Sequence, residues 1–345
     1  MVTMRQLLFE DADVYAWRDA PEPAITSPEQ ALVRPIAVAC CDLDVGVSQG
    51  VLPVPPGHAV GHEGIAEVIA VGDDVTSVRV GDRVVVPFQI NCGSCPECRR
   101  GLTGSCSSLP LMATYGMAPI SGHDGGGFMA DVVLVPYADA MLISVPGTVD
   151  PVAIASLSDN VPDGWRTVGP YRSELDALDA SDRRVLVVGG LSIGVYAAAF
   201  AAAIGAQVDY VDTDEHRLAA AEKLGANVHD LAKPDRSWDP YPVTVHTARD
   251  PSLLSATLRL TWPDGVCTDT GVYFQGSVEM PLLAMYTHGV RFVTGRVNAR
   301  TVIPEVLELI AGGCDLASVV ERVAEWDDAP TVWPAMTGKT VFVRA

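Results

Sequence analysis

Between residues 41 and 106 the chain gathers Cys41, the pair His62-Glu63, and four closely spaced cysteines, Cys92, Cys95, Cys98 and Cys106. Thiolate sulfur and imidazole nitrogen are preferred zinc donors, and protein zinc sites are of two kinds. A closed site uses four protein ligands and stabilises the fold. The run C-x2-C-x2-C-x7-C supplies four thiolates on a loop that Gly93, Pro96 and Gly101 can turn, with Arg99 and Arg100 placed to offset the charge. An open site uses three ligands and keeps a corner for water or substrate, and Cys41 with His62 begins such a set. Cysteine runs of related spacing also hold iron–sulfur clusters. Zinc is the preferred reading because nothing around the lobe calls for a second electron carrier.

A lone histidine is more often a satisfied structural residue than a ligand, and His58, His123, His216, His229, His246 and His288 are read that way. His62 differs by its company. It lies in Gly61-His62-Glu63-Gly64, and Asp44, just past Cys41, can accept the far ring N–H and fix the tautomer. Cys40 competes with Cys41 as the ligand, with Cys40 expected to pack inward.

These groups need a scaffold. Over residues 1–158 the stretches Ala31–Ala39, Gly64–Val71, Asp82–Pro87, Ala130–Pro136 and Met141–Pro146 alternate or run apolar between Gly and Pro turns. They predict a compact, mostly β domain. From 159 to 299 the texture changes to a short strand (Arg184–Val188), a glycine turn, an Ala-rich helix to Ile204, and a second strand (Gln207–Val211) ending at Asp212. Strand, turn, helix, strand and acid make the βαβ unit of a nucleotide-binding sheet, so the fold class is α/β with a doubly wound parallel sheet. A helix over Glu215–Leu224 follows. Residues 300–345, with a helix at Pro304–Gly312 and a strand at Thr340–Arg344, are expected to return to the first domain.

In the turn Gly189-Gly190-Leu191-Ser192-Ile193-Gly194 the outer glycines keep the G-x-G-x-x-G separation, but Leu191 takes the middle place. Either Gly190 substitutes through a shifted turn, or the pyrophosphate sits farther away. Asp212, which lies 18 residues after Gly194, can take a ribose 2′-OH and repel a 2′-phosphate, so NAD is expected over NADP. The plainer alternative is a solvated strand-end acid. Arg217 suits the adenine side or a surface salt bridge.

The 345 residues are long enough for two domains, and a 48% hydrophobic content suits packed cores. A net charge of −20 repels nucleic acid and anionic membranes and makes both poor partners. Residues 1–17 lack a basic head followed by an apolar run, so an intracellular, cytoplasmic protein is expected. Without a secretion signal, the eight cysteines favour metal ligation over disulfides.

The spacing then becomes specific. Cys41 to His62 spans 21 residues and His62 to Cys92 spans 30. With the cysteine lobe, Gly61-His62-Glu63-Gly64, Gly81-Asp82-Arg83-Val84, Gly126-Gly127-Phe128-Met129-Ala130-Asp131 and Arg217-Leu218 through Leu224-Gly225-Ala226, the chain resembles the zinc-dependent medium-chain alcohol dehydrogenases. The resemblance implies a chaperonin-10-like catalytic domain, an inserted Rossmann domain, and an alcohol oxidised by NAD(P) at a catalytic zinc. It also implies Glu63 as an alternate ligand while the metal shifts during turnover.

The family's third catalytic ligand is usually a cysteine entering the cofactor domain, and no cysteine lies between 106 and 267. Ser158-Asp159-Asn160-Val161-Pro162-Asp163-Gly164 instead resembles the formaldehyde-dehydrogenase branch, where an aspartate takes that role, which carries the ligand onto Asp159. A helix N-cap is the competing role for Asp159. The hydroxyl that the family often places two residues after the ligand cysteine is Leu43 here, leaving Asp42, Asp44 or a water chain to move the proton. Phe88, Met117, Trp165 and Tyr273 are candidate pocket walls. The expected protein transfers hydride between a small alcohol or aldehyde and NAD, carries one catalytic and one structural zinc, and forms a homodimer or homotetramer. Two rivals stand beside it. One is a formaldehyde dehydrogenase or aldehyde dismutase. The other, suggested by Leu43 and Leu191, is a non-catalytic zinc-stabilised NAD-binding protein with one zinc per chain.

Overall fold

Ala31–Ala39 is apolar at nearly every position, and it forms a strand buried on both faces. It pairs antiparallel with Glu63–Val71, Thr340–Val343 and Val133–Val135. The sheet continues in the order Arg322–Glu325, Thr340–Val343, Ala31–Ala39, Glu63–Val71, Arg83–Val85, Ile143–Ser144. A smaller sheet joins Val14–Pro21, Thr3–Asp11 and His58–Ala59. Between them lies a core that includes Leu7, Phe9, Tyr115, Phe128, Trp333 and Phe342.

The register of the larger sheet positions the chemistry. Ala39 is paired with Glu63 on one side and with Val341 on the other. Three strands adjacent in space therefore bring Cys40-Cys41, His62-Glu63 and Lys339 to one end of the sheet, although the third group is separated from the first by most of the sequence. This arrangement belongs to a computed structural model that describes residues 2–50, 54–117, 125–273 and 276–344. The chain divides into two units, Met1–Pro162 with Asn298–Glu305 and Val320–Ala345, and Asp163–Val297 with Val306–Val319.

The second unit is a six-stranded sheet, parallel throughout, in the order Asn227–Asp230, Gln207–Asp212, Arg184–Val188, Tyr241–His246, Thr261–Asp269, Arg291–Thr294. In chain order this is 3-2-1-4-5-6, the doubly wound Rossmann arrangement. Its ligand crevice lies at the carboxyl ends of the strands, where the order reverses. Arg184–Val188 is flanked by strands on both sides, and its Val and Leu residues are fully buried. Helix Leu191–Ala203 reads VYAAAFAA after its first turn and is buried along most of its length. Its small side chains allow close packing, and a Cβ at Gly194 would come within 2.6 Å of Thr247 Oγ1.

The expected strands and helices are present with shifted ends. The last helix begins earlier, at Ala299 rather than Pro304, and keeps Pro304 inside it. Met141–Pro146 reduces to a two-residue strand, Ile143–Ser144, because Ala138–Met141 makes a helical turn. No helix among the described residues is long and apolar enough to cross a membrane.

Candidate active site

Among the described residues two groups of donor atoms come together, and all of them lie in the first unit. Cys92, Cys95, Cys98 and Cys106 form one group; Cys41, His62, Glu63 and Asp159 form the other. Within each group the candidate ligand atoms all lie within 4.8 Å of one another.

The cysteine lobe is built by its own backbone. Cys95 caps the short helix Pro96–Arg99, with Pro96 setting its first turn. The N–H of Cys95 donates to Cys92 Sγ at 3.4 Å and that of Cys98 donates to Cys95 Sγ at 3.5 Å. Burial raises the Cys92 thiol, but hydrogen bonds from Ser108, Ser94 and the Cys95 N–H outweigh it and bring the pKa to about 5. Backbone hydrogen bonds, led by that of Cys98, lower Cys95 to about 7. Donors converging on converging sulfurs suit thiolates around a metal. Arg99 donates to the carbonyl of Ser94, tying down the loop.

In the second group each residue is placed by a separate local device. Cys41 opens the helix Asp42–Ser48, and Asp44 Oδ2 accepts the Cys41 N–H at 2.7 Å. His62 follows Gly61, whose φ of 88° suits a residue without a side chain, and a Cβ on Gly127 would come within 2.2 Å of Val60 O. That close approach lets Phe128 and Met129 bond to Gly61 O and Val60 O, fixing the segment that carries His62. Asp159 is held by its neighbour. The Ser158 hydroxyl accepts the Gly64 N–H at 2.9 Å and donates to Gly64 O at 3.1 Å, tying the Asp159 segment to the strand after His62.

Asp159 Oδ2 lies 3.8 Å from Cys41 Sγ and 3.5 Å from His62 Nε2. His62 is wholly buried, and both ring nitrogens lack a hydrogen-bond partner, as does Glu63 Oε1. Orphaned buried polar atoms are costly, and here they converge with a thiol and a carboxylate. Sulfur, nitrogen and oxygen donors suit zinc, so both groups fit a zinc ion. Burial lowers the His62 pKa, but the Asp44, Asp159 and Glu63 carboxylates outweigh it and raise it to about 9. Burial, reinforced by Asp159 and Glu63, pushes the Cys41 thiol well up. Burial raises Glu63 to about 7 against the opposing pull of Lys339.

Several expectations are refined. Asp44 Oδ1 faces His62 Nδ1 at 3.7 Å, longer than a hydrogen bond, because the carboxylate is turned toward the Cys41 N–H. Cys40 turns away from the donors, donating to Gly338 O and accepting the Thr340 N–H. Phe88 and His62 have ring centroids 6.1 Å apart. Leu43 and Met117 line a cavity of about 20 Å³ with Asp44 and Trp333. Trp165 packs edge-on against Phe200 in the second unit. His246 pairs with Asp269 and His229 with Asp209, while His123 lies outside the described residues.

Sequence reasoning missed Lys339 and Asn160. Lys339 Nζ donates to Cys40 O at 2.7 Å, to Asn160 Oδ1 at 2.8 Å and to Glu63 Oε2 at 3.2 Å. Asn160 Nδ2 donates to Cys41 Sγ at 3.3 Å and to Asp159 Oδ2 at 3.1 Å. The available signal was a lysine directly before the apolar strand Thr340–Val343.

In the second unit Gly190 has φ 102° and caps the helix that begins at Leu191. The left-handed turn is therefore at Gly190, ahead of Ser192, Ile193 and Gly194. The Gly190 N–H donates to Asp212 Oδ2 at 3.1 Å, and a Cβ on Gly189 would meet the same oxygen at 2.5 Å. Asp212 also receives Arg217 Nε at 2.8 Å, Arg217 Nη2 at 3.0 Å and the Tyr210 hydroxyl at 2.9 Å. Burial opposes ionisation of Asp212, but Arg217 prevails and holds the carboxyl near 2.

The alcohol dehydrogenase GroES-like domain family matches residues 27–147. A glutathione-independent formaldehyde dehydrogenase from Pseudomonas aeruginosa is 32% identical over 63% of this chain, and the match spans 56% of that relative's length. A probable zinc-binding alcohol dehydrogenase from Mycobacterium tuberculosis is 26% identical over 94% of this chain and 83% of its own. Among solved structures, an alcohol dehydrogenase from Thermus sp. ATN1 superposes with a TM-score of 0.86 at 26% identity, covering 99% of this chain and 100% of its own. A GroES-like unit and a Rossmann sheet in one chain define a medium-chain dehydrogenase fold. The chain is similar to the zinc-dependent medium-chain alcohol dehydrogenases, through the GroES-like match over residues 27–147 and the fold it shares with them, and its ligand segment resembles the formaldehyde-dehydrogenase branch.

Proposed function

We propose that this protein transfers a hydride between a small alcohol and NAD, with Cys41, His62 and Asp159 holding a catalytic zinc and the four-cysteine lobe holding a structural one. The observation that carries the reading is the convergence of Cys41, His62 and Asp159 around orphaned, buried imidazole nitrogens. Bound zinc supplies Lewis acidity that lowers the pKa of an alcohol hydroxyl and polarises a carbonyl. The chain's own residues do the rest. Asp44 sets the entry of the helix behind Cys41, Phe88 lies against His62, and Glu63 is kept within ligand distance as an alternate donor.

For the cofactor, Gly189, Gly190, Leu191, Ser192, Ile193 and Gly194 form the phosphate turn, and Asp212 with Arg217 faces the adenosine ribose. Asp212 stays ionised and closes the ribose side to a 2′-phosphate, supporting NAD over NADP. The edge position of strand Arg291–Thr294 and the exposure of Val293, Leu282, Leu283 and Tyr286 support association of two copies, and light scattering tests it.

A second reading, oxidation or dismutation of formaldehyde and related aldehydes, is favoured by the place of Asp159 and by the formaldehyde dehydrogenase relative. The deciding experiment counts zinc in the purified protein and follows NADH with primary, secondary and polyol alcohols and with formaldehyde. Two zinc per chain with alcohol-dependent NADH formation supports the first reading. Nicotinamide retained through purification, with turnover of aldehyde alone, supports the second. One zinc and no turnover with any compound sinks both.

A further inference from the structure

Asn160 occupies a place that no ligand set explains. It is sealed from solvent, beside Asp159 and across from Cys41. The orientation of its amide is fixed by chemistry, because a lysine ammonium has only donors. Lys339 Nζ at 2.8 Å must face the amide oxygen. The NH2 group is thereby turned toward Cys41 Sγ at 3.3 Å and Asp159 Oδ2 at 3.1 Å. Lys339 is itself anchored by Cys40 O and Glu63 Oε2, so the amide cannot flip without leaving the buried ammonium facing N–H groups.

We infer that Asn160 is a positioning residue for the catalytic metal, held by Lys339, that donates to two of the three donor atoms and tunes their strength. The inference rests on the metal reading above. A hydrogen bond to a ligating thiolate withdraws electron density from sulfur, leaving the metal a stronger Lewis acid. The same contacts hold sulfur and carboxylate at a fixed separation before the metal arrives. Charge supports the arrangement. Thiolate and two carboxylates around a doubly charged cation leave one negative charge in excess, and the buried Lys339 offsets it.

The test uses full-length protein with zinc in the cysteine lobe and cobalt(II) at the Cys41 site, where the visible spectrum reports thiolate ligation. In N160L the thiolate-to-cobalt charge-transfer band moves to lower energy, and a chelator strips that site roughly 10- to 100-fold more readily. The lobe zinc serves as an internal control and stays in place. N160S, which removes the bridge but leaves a small polar side chain, guards against misfolding of N160L and gives the same displacement. An unchanged band and unchanged chelator resistance in a folded variant overturn the inference. Failure of the parent protein to take any metal at Cys41 is a different result, and it overturns the metal reading itself.

Discussion

Lys339 Nζ lies 3.2 Å from Glu63 Oε2, with side-chain exposures of 1% and 0%, making one ion pair sealed beneath the candidate zinc centre. Truncating one member of such a pair strands the other. K339M is expected to destabilise the protein by about 3–5 kcal/mol in chemical denaturation. K339M/E63Q should recover at least half of that loss. A double variant whose loss equals the sum of the K339M and E63Q losses would show that the pair has no coupling.

Metal loading is expected to separate the two sites by pH. In the metal-free fold a His62 pKa of about 9 exceeds the unfolded value of ~6.5. The protonated ring supports that fold fully below pH ~6.5, and the support is lost as pH rises through about 9. Zinc requires the neutral ring and the Cys41 thiolate, so uptake at this site releases protons and weakens on acidification. In the lobe, hydrogen bonds bring Cys92 to about 5 and Cys95 to about 7, whereas burial raises Cys98 to about 12 and also raises Cys106. The lobe's advantage on acidification therefore rests on its first two thiols and on having four sulfur donors. Zinc content measured against a chelator should fall from two per chain at pH 9 to one near pH ~6. Loss of the lobe metal first would contradict this order.

The two sites should also respond differently to mutation. C41A and H62A are expected to abolish turnover while circular dichroism stays native and the melting temperature falls by less than in a lobe variant. C95S should lower the melting temperature by roughly 10 °C and reduce solubility, because a closed zinc site contributes folding energy. Identical behaviour of the two classes would erase the division into catalytic and structural centres.

Cofactor choice is expected to turn on one side chain. D212A frees Arg217 for a 2′-phosphate and should raise the NADP:NAD ratio of kcat/KM by about 10- to 100-fold. R217A leaves a partly screened carboxylate that keeps the Tyr210 and backbone donors, and should cost only ~1–2 kcal/mol. A D212A protein with unaltered preference would place the discrimination elsewhere.

Leu43 stands where the family often carries a hydroxyl. L43T should speed alcohol oxidation by about 10-fold, short of the roughly 100-fold or more of a fully positioned proton acceptor because the rest of the relay is not built for it. Stopped-flow NADH formation checks this, and an unchanged rate would mean that the native proton path bypasses the position.

The parts of the fold legible in the sequence are those with high local contrast. Arg184–Val188 is bounded by charge on one side and glycine on the other, and its limits are read to the residue. The cysteine lobe is legible because four rare soft donors recur within one loop. Lys339 and Asn160 escaped because they look ordinary in sequence and meet across 179 positions, through a register set by Ala39. Asp44, expected to accept the far ring N–H of His62, accepts the Cys41 backbone N–H instead and lies 3.7 Å from His62 Nδ1, a preference that short-range helix chemistry decides.

The Ser158 hydroxyl, bonded to both the N–H and the C=O of Gly64, fixes the location of residue 159 independently of that residue's side chain. The anchorage is thus separate from the donor it presents. On the proposed reading, a D159C variant would therefore present sulfur instead of oxygen from the same backbone position, changing the donor without rebuilding the segment that carries it.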